Sequence, residues 1–399
     1  MTGRIVIIGS GMGGIALTRE LRKLDAAADI LVLTGESGDF YSKPALSNAL
    51  AAGKTASKLL LTPAAKLAQD LQAGIEGGVD VTDIDAQAKV VRSTRGEFAY
   101  DKLVLAVGAS QRRLAFAGDG ANGVILVKSL AGYAGFRSRL DGATSVAIIG
   151  AGLIGCEFAN DLRLGGFAVD VYDVSDQPLP RLLPQPAAPH FRSRLEDIGI
   201  RFHLGTALAR IDRVGAGHAL TDDGGVVRRY DVVLSAAGLQ PNVALARAAG
   251  ATIGVGIRTD GQLRTSVPDM FAIGDCAEID GLFLPYVLPI THGSKALART
   301  LLGEPTEVRY PAMPVVVKTP ACPTVVCSPP SGTGDWDVAV GTDGVRGLHA
   351  DPETGLPDGF FLMGPCVKDR SRLAAQMPGP MSAGRACSRS HDCRCGDRA

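Results

Sequence analysis

Short uninterrupted apolar runs rich in β-branched residues punctuate the chain and predict buried strands. Ile5-Val6-Ile7-Ile8 is the first, and Val146-Ala147-Ile148-Ile149 repeats it 141 residues later. Each runs directly into a Gly-rich turn, Gly9-Ser10-Gly11-Met12-Gly13-Gly14 or Gly150-Ala151-Gly152-Leu153-Ile154-Gly155, and each turn opens a stretch that reads as a helix. Residues 30–33 and 168–172 predict the next strand of each half; Thr34 and Glu36 follow the first, and Asp173 ends the second. A third pair is closed by glycine: Tyr100-Asp101-Lys102-Leu103-Val104-Leu105-Ala106-Val107-Gly108 is matched by Tyr230-Asp231-Val232-Val233-Leu234-Ser235-Ala236-Ala237-Gly238. A unit of turn, α/β body and glycine-closed strand therefore occurs twice, which predicts two related domains.

The pattern changes near residue 313. Met313-Pro314-Val315-Val316-Val317-Lys318-Thr319-Pro320, the run 324–327 and turn-rich sequence around Trp336 and Phe360-Phe361 predict a small antiparallel sheet domain over 313–380. From Met381 apolar periodicity is lost and Arg, Ser, Gly and Cys dominate, so 381–399 reads as a disordered tail.

Composition agrees with this division. The 399 residues, 46% hydrophobic and 21% charged, are enough for two or three domains, and an aromatic content of 5% suits tightly turned α/β units. Lys+Arg and Asp+Glu both number 41, which argues for neither a nucleic-acid nor an anionic-membrane partner. The eight Cys lack the paired spacing of a secreted disulfide scaffold. With no basic leader before the first strand and no apolar run of membrane-spanning length, a cytoplasmic protein without membrane insertion is expected.

Spacing alone does not make a nucleotide site. With 50 glycines in the chain, chance yields about one G-x-G-x-x-G. Gly118-Asp119-Gly120-Ala121-Asn122-Gly123 is such a match, following no predicted strand and preceding an apolar run. In the two turns that do join strand to helix, the first Gly permits the tight turn and the second lets the backbone approach a pyrophosphate. The third lets helix and strand pack closely. Gly9, Ser10, Gly11, Met12 and Gly14, and Gly150, Gly152 and Gly155, are the dinucleotide-binding candidates. Glu36 and Asp173, each about twenty residues past its third Gly, stand where a carboxylate reaches an adenosine ribose. An acid at Asp173 would repel a 2′-phosphate, so NADH is expected over NADPH.

A last signal is Asp269-Met270-Phe271-Ala272-Ile273-Gly274-Asp275-Cys276-Ala277, a short strand ending in Gly274-Asp275 at the sheet edge where α/β folds bind ligands. With this motif and the doubled turn, roughly residues 1–380 resemble the flavin-dependent pyridine-nucleotide oxidoreductases with two dinucleotide domains. The resemblance implies an α/β fold of two Rossmann-like, three-layer ββα domains plus the small C-terminal sheet domain. FAD would occupy a discontinuous domain, 1–108 with 242–312, and NADH the domain 109–241. Asp275 would accept a hydrogen bond from the flavin's ribityl chain. Thr34, Gly108 and Gly238 complete the cofactor-binding set, with Val81 lending backbone contacts to the adenine and Val287 to the flavin.

The disulfide reductases of this superfamily need a redox-active Cys pair, and Phe40-Tyr41-Ser42-Lys43-Pro44-Ala45-Leu46-Ser47 contains none. Cys156 stands alone after the second turn. The branch reducing small iron proteins is therefore favoured. Within it, Tyr41-Ser42-Lys43-Pro44, Gly150 through Leu162 and Val317-Lys318-Thr319-Pro320-Ala321-Cys322-Pro323 resemble the rubredoxin–NAD(+) reductases. That implies a Lys43–Glu157 ion pair near flavin N5 and Lys318 near the ring's other end, with rubredoxin the one-electron acceptor. Such carriers feed an alkane hydroxylase or an oxygen-detoxifying enzyme. Ferredoxin or flavorubredoxin as acceptor, and an FAD- and NADH-binding signalling protein with little reductase activity, are the alternatives; monomer and homodimer both stay open.

No metal site is predicted. Cys387, His391, Cys393 and Cys395 in the tail match no standard zinc spacing. Cys322 and Cys327 read as packed free thiols. His203, His292 and His349 stand singly and read as satisfied or exposed. The doublets Arg112-Arg113 and Arg228-Arg229 read as solvated charge.

Overall fold

The computed structural model describes residues 3–330, 332 and 334–381. The tail expectation, with Cys387, His391, Cys393 and Cys395, falls outside the described residues apart from Met381.

Each Gly-rich turn leaves the C-terminal end of a central parallel strand. In the first sheet the order is Met270–Ala272, Lys102–Leu105, Ile5–Ile8, Ile30–Thr34, Gly74–Gly77, all parallel. In the second it is Ile200–Leu204, Ala168–Asp173, Ser145–Ile149, Val232–Ser235. The central strands are buried on both faces, which is why they read as unbroken apolar runs rather than alternating ones. Beside each parallel sheet lies a three-stranded antiparallel one, Val81–Asp85, Val90–Ser93, Gly96–Ala99 in the first half and Leu208–Val214, Gly217–Asp222, Val227–Tyr230 in the second.

The repeated Tyr-Asp pairs explain themselves here. Asp101 Oδ2 accepts from the backbone N–H of Arg4 at 2.6 Å, and Asp231 Oδ2 from Thr144 and Ser145 at 2.8 and 2.9 Å. Each acid thus ties the start of its own strand to the start of the central one, and Tyr100 and Tyr230 are buried behind it. The chain leaves the first half past Gly108 and returns past Gly238, both at positive φ. The two links that follow, Ala109–Gln111 and Leu239–Pro241, pair antiparallel.

The third sheet is antiparallel throughout, in the order Val315–Val317, Thr324–Cys327, Pro357–Met363, Gly344–Ala350, Trp336–Gly341. Its inner strands alternate between two cores. Val326, Phe361 and Met363 pack with Tyr41, Leu46 and Phe158, whereas Val325, Phe360 and Leu362 pack with Cys366, Leu373 and Met377. The small domain therefore shares a core with the rest of the molecule and sets its first strand against the region of Lys43. Among the described residues no helix is long and apolar enough to cross a membrane.

Candidate functional site

A cavity of about 860 Å³ opens at the carboxyl ends of the first sheet's strands, at the upper end of the roughly 300–1,000 Å³ of small-molecule sites. Its floor is the first turn, with Gly9, Ser10, Gly11 and Met12; Thr34, Glu36, Val81 and Gly108 line one part of it. Gly274, Asp275 and Val287 close another side, and Lys43, Glu157 and Lys318 converge from three separate stretches of chain. Gly14 lies behind this surface. Gly150, Gly152, Gly155, Asp173 and Gly238 stand outside the lining, although Leu153, Ile154 and Leu239 reach it.

Both turns are built as the spacing predicts. Gly9 and Gly150 have φ of +114° and +111°, and a Cβ on either would lie 2.3 or 2.5 Å from the carbonyl of Ala106 or Ala236. A Cβ on Gly14 or Gly155 would come within 1.9 Å of the Gly9 or Gly150 carbonyl. Gly11 and Gly152 differ in kind: a Cβ there would meet nothing within 4 Å. They are helix N-caps, and no side chain caps either helix. The positive end of each helix therefore faces open space, the arrangement a pyrophosphate fits. The Gly118–Gly123 match ends instead in a short 3₁₀ turn, Ala121–Gly123.

Asp275 points the same way. Its carboxyl makes no hydrogen bond to protein among the described residues, and burial pushes its pKa above the usual carboxylate range, with Lys43 pulling the other way. An acceptor so placed beside the cavity suits a ligand hydroxyl. The residues present thus fit a flavin dinucleotide.

The charged groups pair differently from expectation. Lys43 does not meet Glu157: its Nζ lies 3.1 Å from Glu36 Oε1, and Tyr41 donates to Glu36 Oε2 at 2.7 Å. Glu157, 2% exposed, instead takes Lys318 Nζ at 2.9 Å, Ser47 Oγ at 2.5 Å and the backbone N–H of Lys318 at 3.0 Å. Lys318 Nζ also donates to Ser47 and to the carbonyl of Pro44. The reason is geometric. The third sheet brings Lys318 alongside the helix bearing Glu157, whereas Lys43 lies only seven residues from Glu36 and on its side of the cavity.

The two ribose acids are also not equivalent. Thr34 and Asp173 end matching strands; Ser10 Oγ meets Thr34 Oγ1 at 3.1 Å, while Asp173 Oδ2 accepts from the Ala151 backbone N–H at 2.6 Å. Glu36 therefore matches Ser175, whose N–H bonds to Asp173 Oδ1 at 2.8 Å. Asp173 braces the second turn as well as facing its mouth.

His203 and His349 have carboxylate partners that the sequence conceals. His203 Nε2 lies 2.9 Å from Asp170, and buried His349 pairs with Asp358. Cys156, Cys276, Cys322, Cys327 and Cys366 are buried and free. Among the described residues no group of three or more His, Cys, Asp and Glu is placed to hold a metal. Ser47 is the site residue that sequence reasoning passed over. Its only signal was its place in the Cys-free stretch after Lys43.

Residues 3–298 match the family described as pyridine nucleotide-disulphide oxidoreductase, and residues 307–377 match the rubredoxin binding C-terminal domain. The chain is 42% identical over 379 residues to the rubredoxin-NAD(+) reductase of Alcanivorax borkumensis, covering 94% of this chain and 99% of that one. It is 43% identical over 384 residues to the protein of the same name from Acinetobacter baylyi, covering 94% and 98%. The nitric oxide reductase FlRd-NAD(+) reductase of Aeromonas salmonicida is 39% identical over 310 residues, 77% of this chain and 79% of that one. A ferredoxin reductase structure from Rhodopseudomonas palustris superposes with a TM-score of 0.85 at 25% identity, covering 95% and 96%. With its doubled turn, shared cavity and third sheet, the chain belongs to the pyridine nucleotide-disulphide oxidoreductase family and, within it, to the rubredoxin-NAD(+) reductases.

Proposed function

We propose that the protein passes electrons from NADH to rubredoxin, with FAD held non-covalently in the cavity. The observation that carries this reading is the composition of the cavity wall: the uncapped helix end of the first turn and three converging charged residues, without a cysteine. Burial pushes the thiols of Cys276 and Cys327 up to about 11 and that of Cys156 up as well, so none is a thiolate at neutral pH. No dithiol of the described chain stands between the cavity and the outside. Bound FAD would supply the conversion that a one-iron carrier requires, from the electron pair of nicotinamide to electrons passed on singly.

The chain's own residues bind and orient. Residues 1–108 with 242–312 would hold FAD, with Gly11 admitting the pyrophosphate, Asp275 accepting a ribityl hydroxyl and Val81 and Val287 offering backbone. Residues 109–241 would hold NADH, with Gly152 admitting its pyrophosphate and Asp173 disfavouring a 2′-phosphate. Lys318, paired with Glu157 and held in place by it, sets positive charge at the wall supplied by the third sheet, and Lys43 does so opposite. Residues 313–380 would present the surface on which rubredoxin docks.

The test is to mix the yellow full-length protein with NADH and, separately, purified rubredoxin and ferredoxin. Faster bleaching of rubredoxin is expected. Preferential bleaching of ferredoxin overturns the acceptor, and absence of bound FAD overturns the whole reading. The likeness to the Aeromonas salmonicida protein makes a flavorubredoxin the second acceptor to try.

A further inference from the structure

The helix Leu153–Leu164 buries three polar side chains on one face, Glu157, Asn160 and Asp161, each no more than 4% exposed. At spacings of three and four they form a continuous seam. Glu157 belongs to the site already described. The other two do not touch the cavity, yet neither is idle. Asp161 accepts from the backbone N–H groups of Leu50 at 2.8 Å and Ala51 at 3.0 Å. These residues follow Ala49, the C-cap of the 3₁₀ helix Lys43–Asn48, which packs against the same helix. Asn160 Oδ1 accepts from the Ala321 N–H at 3.1 Å, three residues past Lys318.

A burial cost accompanies this arrangement. Desolvation pushes Asp161 above the usual carboxylate range despite two backbone donors. An apolar helix face would pack at less cost, so the acid's contribution is directional rather than cohesive. A second observation fixes the same loop: a Cβ on Gly165, the helix C-cap, would lie 2.2 Å from Leu50 Cδ2. Leu50 therefore closes over the helix end while Asp161 holds its N–H. The segment that carries Lys43 and Ser47 is clamped at its exit, and the turn after Lys318 is clamped by the neighbouring side chain.

We propose that Asp161, with Asn160 beside it, is a positioning residue: it locks the 43–51 segment onto the second Gly-rich helix and so holds Lys43, Ser47 and Lys318 at the cavity wall. The proposal rests on the flavin reading above for its effect on the cofactor, though not for the clamp itself. It differs from the Glu157–Lys318 pair in touching only backbone, so it acts through others.

The experiment compares the full-length wild type with Asp161→Asn, Asp161→Ala and a control, Asp231→Asn, which loosens backbone bonds away from the junction. Hydrogen exchange of the 43–51 amides is measured first. Faster exchange across 43–48 is expected in both Asp161 variants, with strand Ile5–Ile8 and the control unchanged in these segments. The midpoint potential of bound FAD is measured second. Asn keeps one acceptor oxygen and Ala none, so the reduced state should be stabilised about threefold less in Asn and about tenfold less in Ala, the latter roughly 30 mV more negative. Where the Ala variant fails to fold, the Asn variant carries the comparison. Unaltered exchange over 43–48 in Asp161→Asn overturns the clamp, and so does a potential shift of equal size in the control. A wild type that binds no FAD overturns the functional reading instead, while the exchange result still decides the clamp.

Discussion

The two Gly-rich units have nearly the same backbone and different side-chain chemistry. Their first glycines differ by 3° in φ, and their third glycines would clash with the same carbonyl at the same 1.9 Å. Even the acid tying strand to strand recurs, at Asp101 and Asp231. Yet the positions of Glu157 and Asp161 on the second helix are held by Ala16 and Glu20 on the first, where Glu20 faces outward to Lys23. The first turn's helix supplies only a phosphate-sized mouth, and the rest of its cavity comes from distant chain. The second turn's helix offers a mouth at one end and a buried polar seam along its side. The two units share the backbone of the turn, and the seam is what joins them to each other and to the third sheet.

The sharpest way to break this comparison is to close each turn in turn. Gly14→Ala and Gly155→Ala each force a Cβ onto a carbonyl that cannot move without undoing the turn. Overpacking of this kind costs ~1–3 kcal/mol, roughly 5- to 150-fold in a binding constant. Gly14→Ala should lose its visible flavin absorbance on desalting. Gly155→Ala should keep that absorbance and raise the KM for NADH. If both variants lose flavin equally, the units do not have separate ligands.

Gly11→Ala and Gly152→Ala probe the same division with less damage. A methyl at either place meets no protein atom, so the melting temperature of the ligand-free chain should stay put. Only binding should fall, by about tenfold or about 1.4 kcal/mol, for FAD in the first and for NADH in the second. A comparable loss of stability without ligand would mean that the space serves packing.

These turns were legible because strand, glycine spacing and helix lie within fifteen residues of one another. What lay beyond that range was less so. Counting twenty residues from the third Gly reached both Glu36 and Asp173 but could not see that one stands two positions further along its strand end than the other. Nothing along the chain near Lys43 or Glu157 shows that a third sheet delivers Lys318 to the Glu157 carboxylate while Lys43 turns to Glu36. His203 and His349 look solitary for the same reason, their acids lying 33 and 9 positions away on neighbouring strands. Local chemistry can be read along the chain; the choice of partner is made by sheet register and by which elements share a core.

The two lysines offer a finer contrast. Glu157→Gln removes the charge facing Lys318 while keeping an acceptor for the Lys318 N–H. Because Lys318 is 30% exposed, the cost should be roughly 1–2 kcal/mol rather than the 3–5 of a pair broken wholly inside. Lys43→Gln breaks an ion pair exposed on both sides, 48% and 41%, and should change stability by less than about 1 kcal/mol. Chemical denaturation of the ligand-free chain separates the two. A larger loss from Lys43 would mean that its pairing with Glu36, rather than the seam, holds the wall together.

The smallest expected effect concerns Asp275 and has a definite sign. Burial raises its carboxyl pKa in the folded chain, so the fold prefers the protonated form more than the unfolded chain does. A raised carboxylate contributes stability that is fully present below the ordinary carboxylate range and lost as pH rises through the folded value. Asp275→Asn, neutral at every pH, should therefore melt above the wild type at neutral pH when both lack ligand, and the gap should close on acidification. Saturating FAD should reverse the order at neutral pH, because the wild-type carboxylate then gains a hydroxyl donor that the amide accepts more weakly. A gap independent of pH would assign the burial of Asp275 to packing, and a gap that FAD leaves untouched would remove Asp275 from the binding surface.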